Sequence, residues 1–201
     1  MIITNQIHLK MKKTIFLFIL SFSLSFAQQD TLPFAEIGPY YEDFTAETAV
    51  ARMIEGLGFR YYWGTNSLTA EDLAYKPSSD SRSTMDLLEH IYGLTEMVIY
   101  TFEGKEYPTG THYNLTFEAY RSETLMNLKK IHDLLMNGST ISELSVKINY
   151  NGQTMEFPFW NAINGPISDA IWHTGQVVSN RRASGNPFNG KAQVFLGKLM
   201  Q

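Results

Sequence analysis

Apolar residues recur along this chain with two different periods, and the change of period marks the elements. Val50, Met53, Ile54, Leu57 and Tyr61 return every three or four positions, which predicts an amphipathic helix with Thr45 placed to cap it. Gly56, Gly58 and Gly64 fall in or beside that helix, and each costs about 1 kcal/mol relative to alanine in a helix interior, so packing has to hold it. Leu87, Ile91, Leu94 and Val98 define a second helix ending near Tyr100. It is preceded by Ser83-Thr84-Met85-Asp86, the spacing of a capping box with Asp in place of the usual Glu. A third helix is expected over 116–136, with Tyr120, Thr124, Leu128, Ile131 and Leu135 on one side and Asn137-Gly138 as its stop. Between the second and third helices, 101–115 carries Gly104, Pro108 and Gly110 and has no period. It is expected to be an irregular crossover, long enough to run the length of a bundle and leave the two helices parallel.

Further on the period drops to two. Residues 146–150 and 153–157 flank Asn151-Gly152, a strong hairpin signal, and a lone hairpin needs the helices for support. A short turn at 159–163 leads to a fourth helix over 166–183 with Pro166 in its first turn, Ser184-Gly185 closes it, and the tail from 186 onward is expected to be mostly irregular. The pattern predicts an all-α fold: a four-helix bundle with one long crossover and a small β-hairpin before the fourth helix.

The opening segment reads differently. Lys12 and Lys13 precede an apolar run over 14–26 that ends in Ser25-Phe26-Ala27, the make-up of a secretory signal peptide, with Met11 as the expected start. That run is shorter than the ~20 residues needed to span a bilayer. The expected organisation is a signal peptide over 1–27, an extended lead-in over 28–44, the helical domain over 45–186 and a tail over 187–201. The product would be exported to the periplasm or the outside, with no membrane association after cleavage. Composition fits a globular domain, with 44% hydrophobic and 18% charged residues among 201. The absence of cysteine excludes a disulfide framework, thiolate metal sites and a Cys nucleophile. The formal net charge is −4, and cleavage would remove Lys10, Lys12 and Lys13 without removing any acid. An acidic chain of this kind argues against nucleic acid as a partner.

Candidate chemistry collects on the second and fourth helices. Asp169 and His173 are four apart and share a helix face, which continues to Gln176 and Asn180 between the apolar flanks Ile167, Ala170, Ile171, Val177 and Val178. Burying such groups without partners costs about 1–3 kcal/mol each, so water, one another or a metal must satisfy them. His90, set among Leu87, Leu94 and Met97, points inward or to the edge of the core rather than to open solvent. Two imidazoles and a carboxylate form a recurrent donor set for zinc or nonhaem iron, and bundles build such sites from facing helices. The same residues also read as a hydrogen-bonded core histidine and a structural ion pair favoured by the helix dipole. Tyr61, Tyr62, Trp63 and Trp172 could wall a pocket or fill the core. Arg181-Arg182 could hold an anionic group or complement a helix C-terminus. His132 reads as a boundary residue, His112 as solvated, and His8 belongs to the opening segment.

The run from Ser83 to Ile91 resembles the second-helix motif of the DinB-like (DinB/YfiT-like) metalloproteins. The run from Asp169 to Val177, followed by Arg181-Arg182-Ala183-Ser184-Gly185, resembles their fourth-helix motif: His-x-x-x-His, a Gly-Gln step, then Arg and Gly. The resemblance covers 45–186 and implies a bundle of up-down-down-up order. It also implies a divalent metal held by one His of helix two and two ligands of helix four. His90 and His173 match two ligands. Asp169 stands where a first His is usual, which shifts preference toward harder ions among zinc, nickel, manganese and iron, or marks a degenerate site. Gln176 and Asn180 would support the ligands from outside. Family members with known roles resemble metal-dependent hydrolases and thiol S-transferases. Export favours hydrolysis of a small molecule, since low-molecular-weight thiols are mostly cytosolic. A non-catalytic ligand-binding or structural bundle, open to homodimer formation, is the alternative from a different class.

Overall fold

The computed structural model describes residues Leu32–Gln201. The expected signal peptide over 1–27, with its basic start and His8, lies outside the described residues.

Each of the first long helices begins on a side-chain cap. α1, Ala46–Thr65, opens with Thr45 Oγ1 accepting from Thr48 N–H at 3.2 Å and Thr48 Oγ1 accepting from Thr45 N–H at 2.8 Å. A short α2, Ala70–Ala74, starts on the equivalent box between Thr69 and Asp72. α3, Thr84–Phe102, starts on Ser83 and Asp86, and α4, Phe117–Met136, starts on Thr116. The last helix begins without a cap. A three-residue α5, Trp160–Ala162, runs through a π-type turn, Ile163–Ile167, into α6, Ser168–Ala183. Pro166 sits in that wide turn, where a residue without an N–H cannot hold the α-helical ladder, and the Ser168 hydroxyl donates to the Ile163 carbonyl at 2.7 Å.

The four long helices pack in a ring: α1 against α4 and α6, and α3 against the same two. Cross-helix bonds give their directions. Tyr61 donates to the Tyr120 carbonyl while His132 faces Glu55, so α1 and α4 are antiparallel. Asn127 meets Thr95 and Lys130 meets Glu103, so α3 and α4 run the same way. Asn180 reaches Thr84 while His90 reaches Asp169, so α3 and α6 are antiparallel. Leu57, Leu88, Ile91, Leu128, Ile131, Ile167 and Val177 are at most 1% exposed and form the centre of the core.

The expectation of an all-α four-helix bundle carrying a lone hairpin is overturned: the domain is mixed α/β. The hairpin strands β2, Ser145–Tyr150, and β3, Gln153–Pro158, are joined by β1, Glu106–Pro108. β1 pairs parallel to β2 and completes a three-stranded sheet of order β1-β2-β3 laid on α3. The segment expected as an irregular crossover therefore contains a strand. Three residues are too few to display a period, and what makes them a strand lies elsewhere in the chain. The Asn149 amide donates to Glu106 Oε1 at 2.6 Å, the Thr154 hydroxyl donates to Glu106 Oε2, and Tyr107 is buried beneath. Within the tail, β4, Ala192–Gln193, pairs with β5, Lys198–Leu199. Its Gly197 carbonyl accepts from Ile37 N–H at 2.8 Å, joining tail to lead-in. Among the described residues, no helix is long and apolar enough to cross a membrane.

Candidate metal centre

His90 lies in the second turn of α3, at a height fixed by the Ser83 cap. Asp169 lies in the first turn of α6, and His173 one turn beyond it. Because α3 and α6 are antiparallel, these three groups meet although His90 and Asp169 are 79 residues apart. His90 Nε2 is 3.1 Å from Asp169 Oδ2, and His173 Nε2 is 3.3 Å from Asp169 Oδ1. The imidazole centroids are 4.7 Å apart with the rings at 83°. One ligand atom from each residue fits within 4.8 Å of the others, so the chain holds a His90–Asp169–His173 triad with the make-up of a metal site. Side-chain exposures of 32% for His90, 34% for Asp169 and 12% for His173 leave the cluster open on one side.

The hydrogen bonding settles which nitrogen of His173 faces the centre of the triad. Gln176 Oε1 lies 2.7 Å from His173 Nδ1 and can only accept, so Nδ1 carries the proton. Nε2 is then left facing an Asp169 carboxylate oxygen, which offers only lone pairs. Something positive, a proton or a metal cation, has to lie between them. Burial lowers the pKa of His90, opposed by its hydrogen bond to Asp169 and assisted by Arg82 and His173. The neutral imidazole it favours is the form that ligates metals. The donor set and the open side therefore fit a divalent cation.

Other candidates fall elsewhere. Asn180, on the same stripe, is buried and donates to Thr84 Oγ1 at 3.2 Å, which ties α6 to the start of α3 rather than supporting the triad. Arg181 is only 2% exposed and holds no substrate. Its guanidinium donates to the carbonyls of Trp63, Gly64 and Asn66 at 3.2, 2.9 and 3.0 Å, capping the C-terminal end of α1, and to Asn186. Tyr61 is a core residue, and the Trp63 indole donates to the Ala35 carbonyl at 3.0 Å. Trp172 is largely exposed, its ring parallel to His173 with centroids 6.3 Å apart. His132 bonds to Tyr41 and faces Glu55, and His112 is solvated.

The periodicity gave no sign of the two clefts that flank the triad. The larger, about 560 Å³, runs from His90 past Leu94 and Met97 to Tyr107 and the 109–113 loop. Two residues of α3 shape it. Glu89 Oε1 accepts from Tyr113 N–H at 2.7 Å and fastens that loop beside His90. At Gly93 a Cβ would lie 3.2 Å from the Tyr107 hydroxyl and 3.4 Å from the Tyr113 ring, so glycine lets the aromatic pair close on the helix. The smaller cleft, about 480 Å³, is bordered by His173, Gln176 and Asn180. A glutamate next to the histidine and a mid-helix glycine were the available signals, and both needed the loop's position to be interpretable.

No protein-family model, curated protein or solved structure matches this chain.

Proposed function

We propose that His90, Asp169 and His173 hold a divalent metal ion and that the site hydrolyses a small molecule entering from the larger cleft. The observation that carries the reading is the convergence of His90 Nε2 and His173 Nε2 on the two oxygens of the Asp169 carboxylate, at 3.1 and 3.3 Å, with His173 Nδ1 committed to Gln176. When bound, a divalent cation would supply Lewis acidity, lowering the pKa of a water and polarising a carbonyl. The protein's own contribution is positional. Gln176 fixes the tautomer and orientation of His173, a role that outer hydrogen bonds commonly play at metal sites. Asp169 sets the spacing of the two imidazoles and, as a harder donor than His, favours zinc, manganese or iron over softer ions. The exposed side of the triad leaves room for substrate, and a cleft of about 560 Å³ accommodates a small molecule. The likeness of the two motifs to DinB-like proteins and the exported location belong to the same proposal.

Elemental analysis of the chain purified without a His tag tests it. Stoichiometric divalent metal is expected in the wild type, lost in H90A and H173A and retained in D169H. Hydrolysis of an ester and amide panel should be lost in the same two alanine variants. Metal content unchanged in both alanine variants would refute the site. Stoichiometric metal without turnover across the panel would leave a binding protein in place of an enzyme.

A further inference from the structure

Arg82 borders both clefts. It lines the larger one together with His90 and the smaller one together with His173 and Gln176, so it stands at the lip of the triad on either side. It immediately precedes the Ser83 cap of α3, which fixes where its backbone sits. Asp86, the nearest acid on the following helix, accepts from Ser83 N–H at 2.9 Å and faces Lys76 Nζ at 3.9 Å, with the Arg82 charge close enough to act on it but not bonded to it. Among the described residues Arg82 forms no ion pair or hydrogen bond. The contrast with Arg181, whose guanidinium is spent on backbone carbonyls and Asn186, separates a structural arginine from one left available.

We infer that Arg82 binds the anionic end of the substrate, and that this substrate is a carboxylate with an apolar body. The inference rests on the metal-site reading and specifies its substrate class. A guanidinium presents a planar fork of N–H donors that matches a carboxylate in bidentate fashion. Leu94, Met97 and the Tyr107 ring supply the apolar wall along which the body of the molecule lies, with His90 between that wall and Arg82. The apolar wall favours an organic carboxylate over inorganic phosphate, which has no body to lay against Leu94 and Met97. Because Arg82 lines each cleft together with a triad histidine, an anionic end held there keeps the rest of the molecule beside the triad.

The probes are 3-phenylpropionate, its neutral amide 3-phenylpropionamide, and inorganic phosphate, titrated calorimetrically into the zinc-loaded chain and into the chain stripped of metal. Wild type should bind the carboxylate at least about tenfold more tightly than the amide, the amount expected for one charge-assisted pair of hydrogen bonds. R82Q should lose that tenfold factor in both forms, with zinc content equal to wild type, and R82K should restore only part of it because an ammonium lacks the fork. Phosphate should bind more weakly than 3-phenylpropionate. The stripped chain keeps the inference distinguishable from the metal reading, because Arg82 is not a ligand and its preference is measured there without any ion. Three results would overturn it: an unchanged preference in R82Q, loss of zinc in R82Q, or phosphate binding as tightly as the carboxylate.

Discussion

At the scale of single residues, His173 depends on Gln176 more than on its own helix. The helix sets the ring's height, but the 2.7 Å bond from Nδ1 to Gln176 Oε1 decides which nitrogen carries the proton. Removing the acceptor frees the ring to take either tautomer and rotate. Q176L is expected to weaken metal binding about 10- to 100-fold in a chelator competition, with an unchanged melting temperature in the metal-free protein. Equal affinity in Q176L would show that the bond does not orient the ring. Arg181 shows how a residue's type can mislead when its partners are remote. Two adjacent arginines near a helix end suggest a surface charge feature, yet the first is buried and its donors end on the neighbouring helix. Asn180 has the phase of the polar stripe and still misses the triad, because Thr84 on α3 offers a nearer acceptor.

At the scale of elements, the features legible in the chain were those decided within a few residues. The caps at Thr45 and Ser83 close local hydrogen bonds, and Gly138 ends α4 with φ of 90°. The Asn151-Gly152 turn carries positive φ at both positions, 51° and 78°, as a two-residue hairpin requires. Thr69 and Asp72 repeat the Ser83–Asp86 spacing, and the same local box starts α2. β1 was hidden because its identity is conferred by β2, some forty residues later. The Asp169–His173 pair was visible from its spacing, while the arrival of His90 beside it depended on the antiparallel packing of α3 and α6.

The seam between α1 and α4 carries its own pH dependence. His132 is raised above its ordinary value mainly by hydrogen bonding to Glu55, with burial opposing and Asp133 assisting. Glu55 also faces Arg52 at 3.0 Å, and the Tyr41 hydroxyl, 2.8 Å from His132 Nε2, is pushed up to about 12 by burial and by Glu55. A histidine raised on folding contributes stability that is complete below its unfolded value of about 6.5 and fades as pH climbs through the folded one. Chemical denaturation of wild type and H132Q across pH 5 to 9 should show the wild-type advantage shrinking toward the alkaline end. An advantage constant across that range would contradict the assignment.

At the scale of the molecule, the triad lies on a seam whose packing does not require a metal. Leu88, Ile91, Ile167 and Val177 bury the contact between α3, α6 and their neighbours, so the metal-stripped protein is expected to stay folded. Stability should nonetheless rise with metal by mass action, about 2.7 kcal/mol at a hundredfold excess over Kd, which for a domain of this size raises the melting temperature by roughly 5–10 °C. Calorimetry of stripped and reloaded protein measures it, and a melting temperature indifferent to zinc in wild type would count against the site. The sheet bears on access rather than on the ligands: β1 delivers Tyr107 and the 109–113 loop to the larger cleft, which a bare helical bundle would have left open.

The wide turn at Ile163–Ile167 has a consequence for everything after it. One additional residue in a helical turn advances the phase of the following segment by about 100°. Upstream, Phe159 and Ala162 are buried; downstream, so are Ala170 and Val177, with Asp169 and His173 facing α3. The two stretches share one interior only because the turn absorbs the mismatch between them. Inserting one alanine after Asn164, which is exposed, would add a second extra residue that the turn cannot absorb and swing the carboxylate and imidazole off the α3 side. The expected product is a helical protein with native-like circular dichroism and no affinity for zinc, its chemistry lost to a rotation although every ligand is still in the chain.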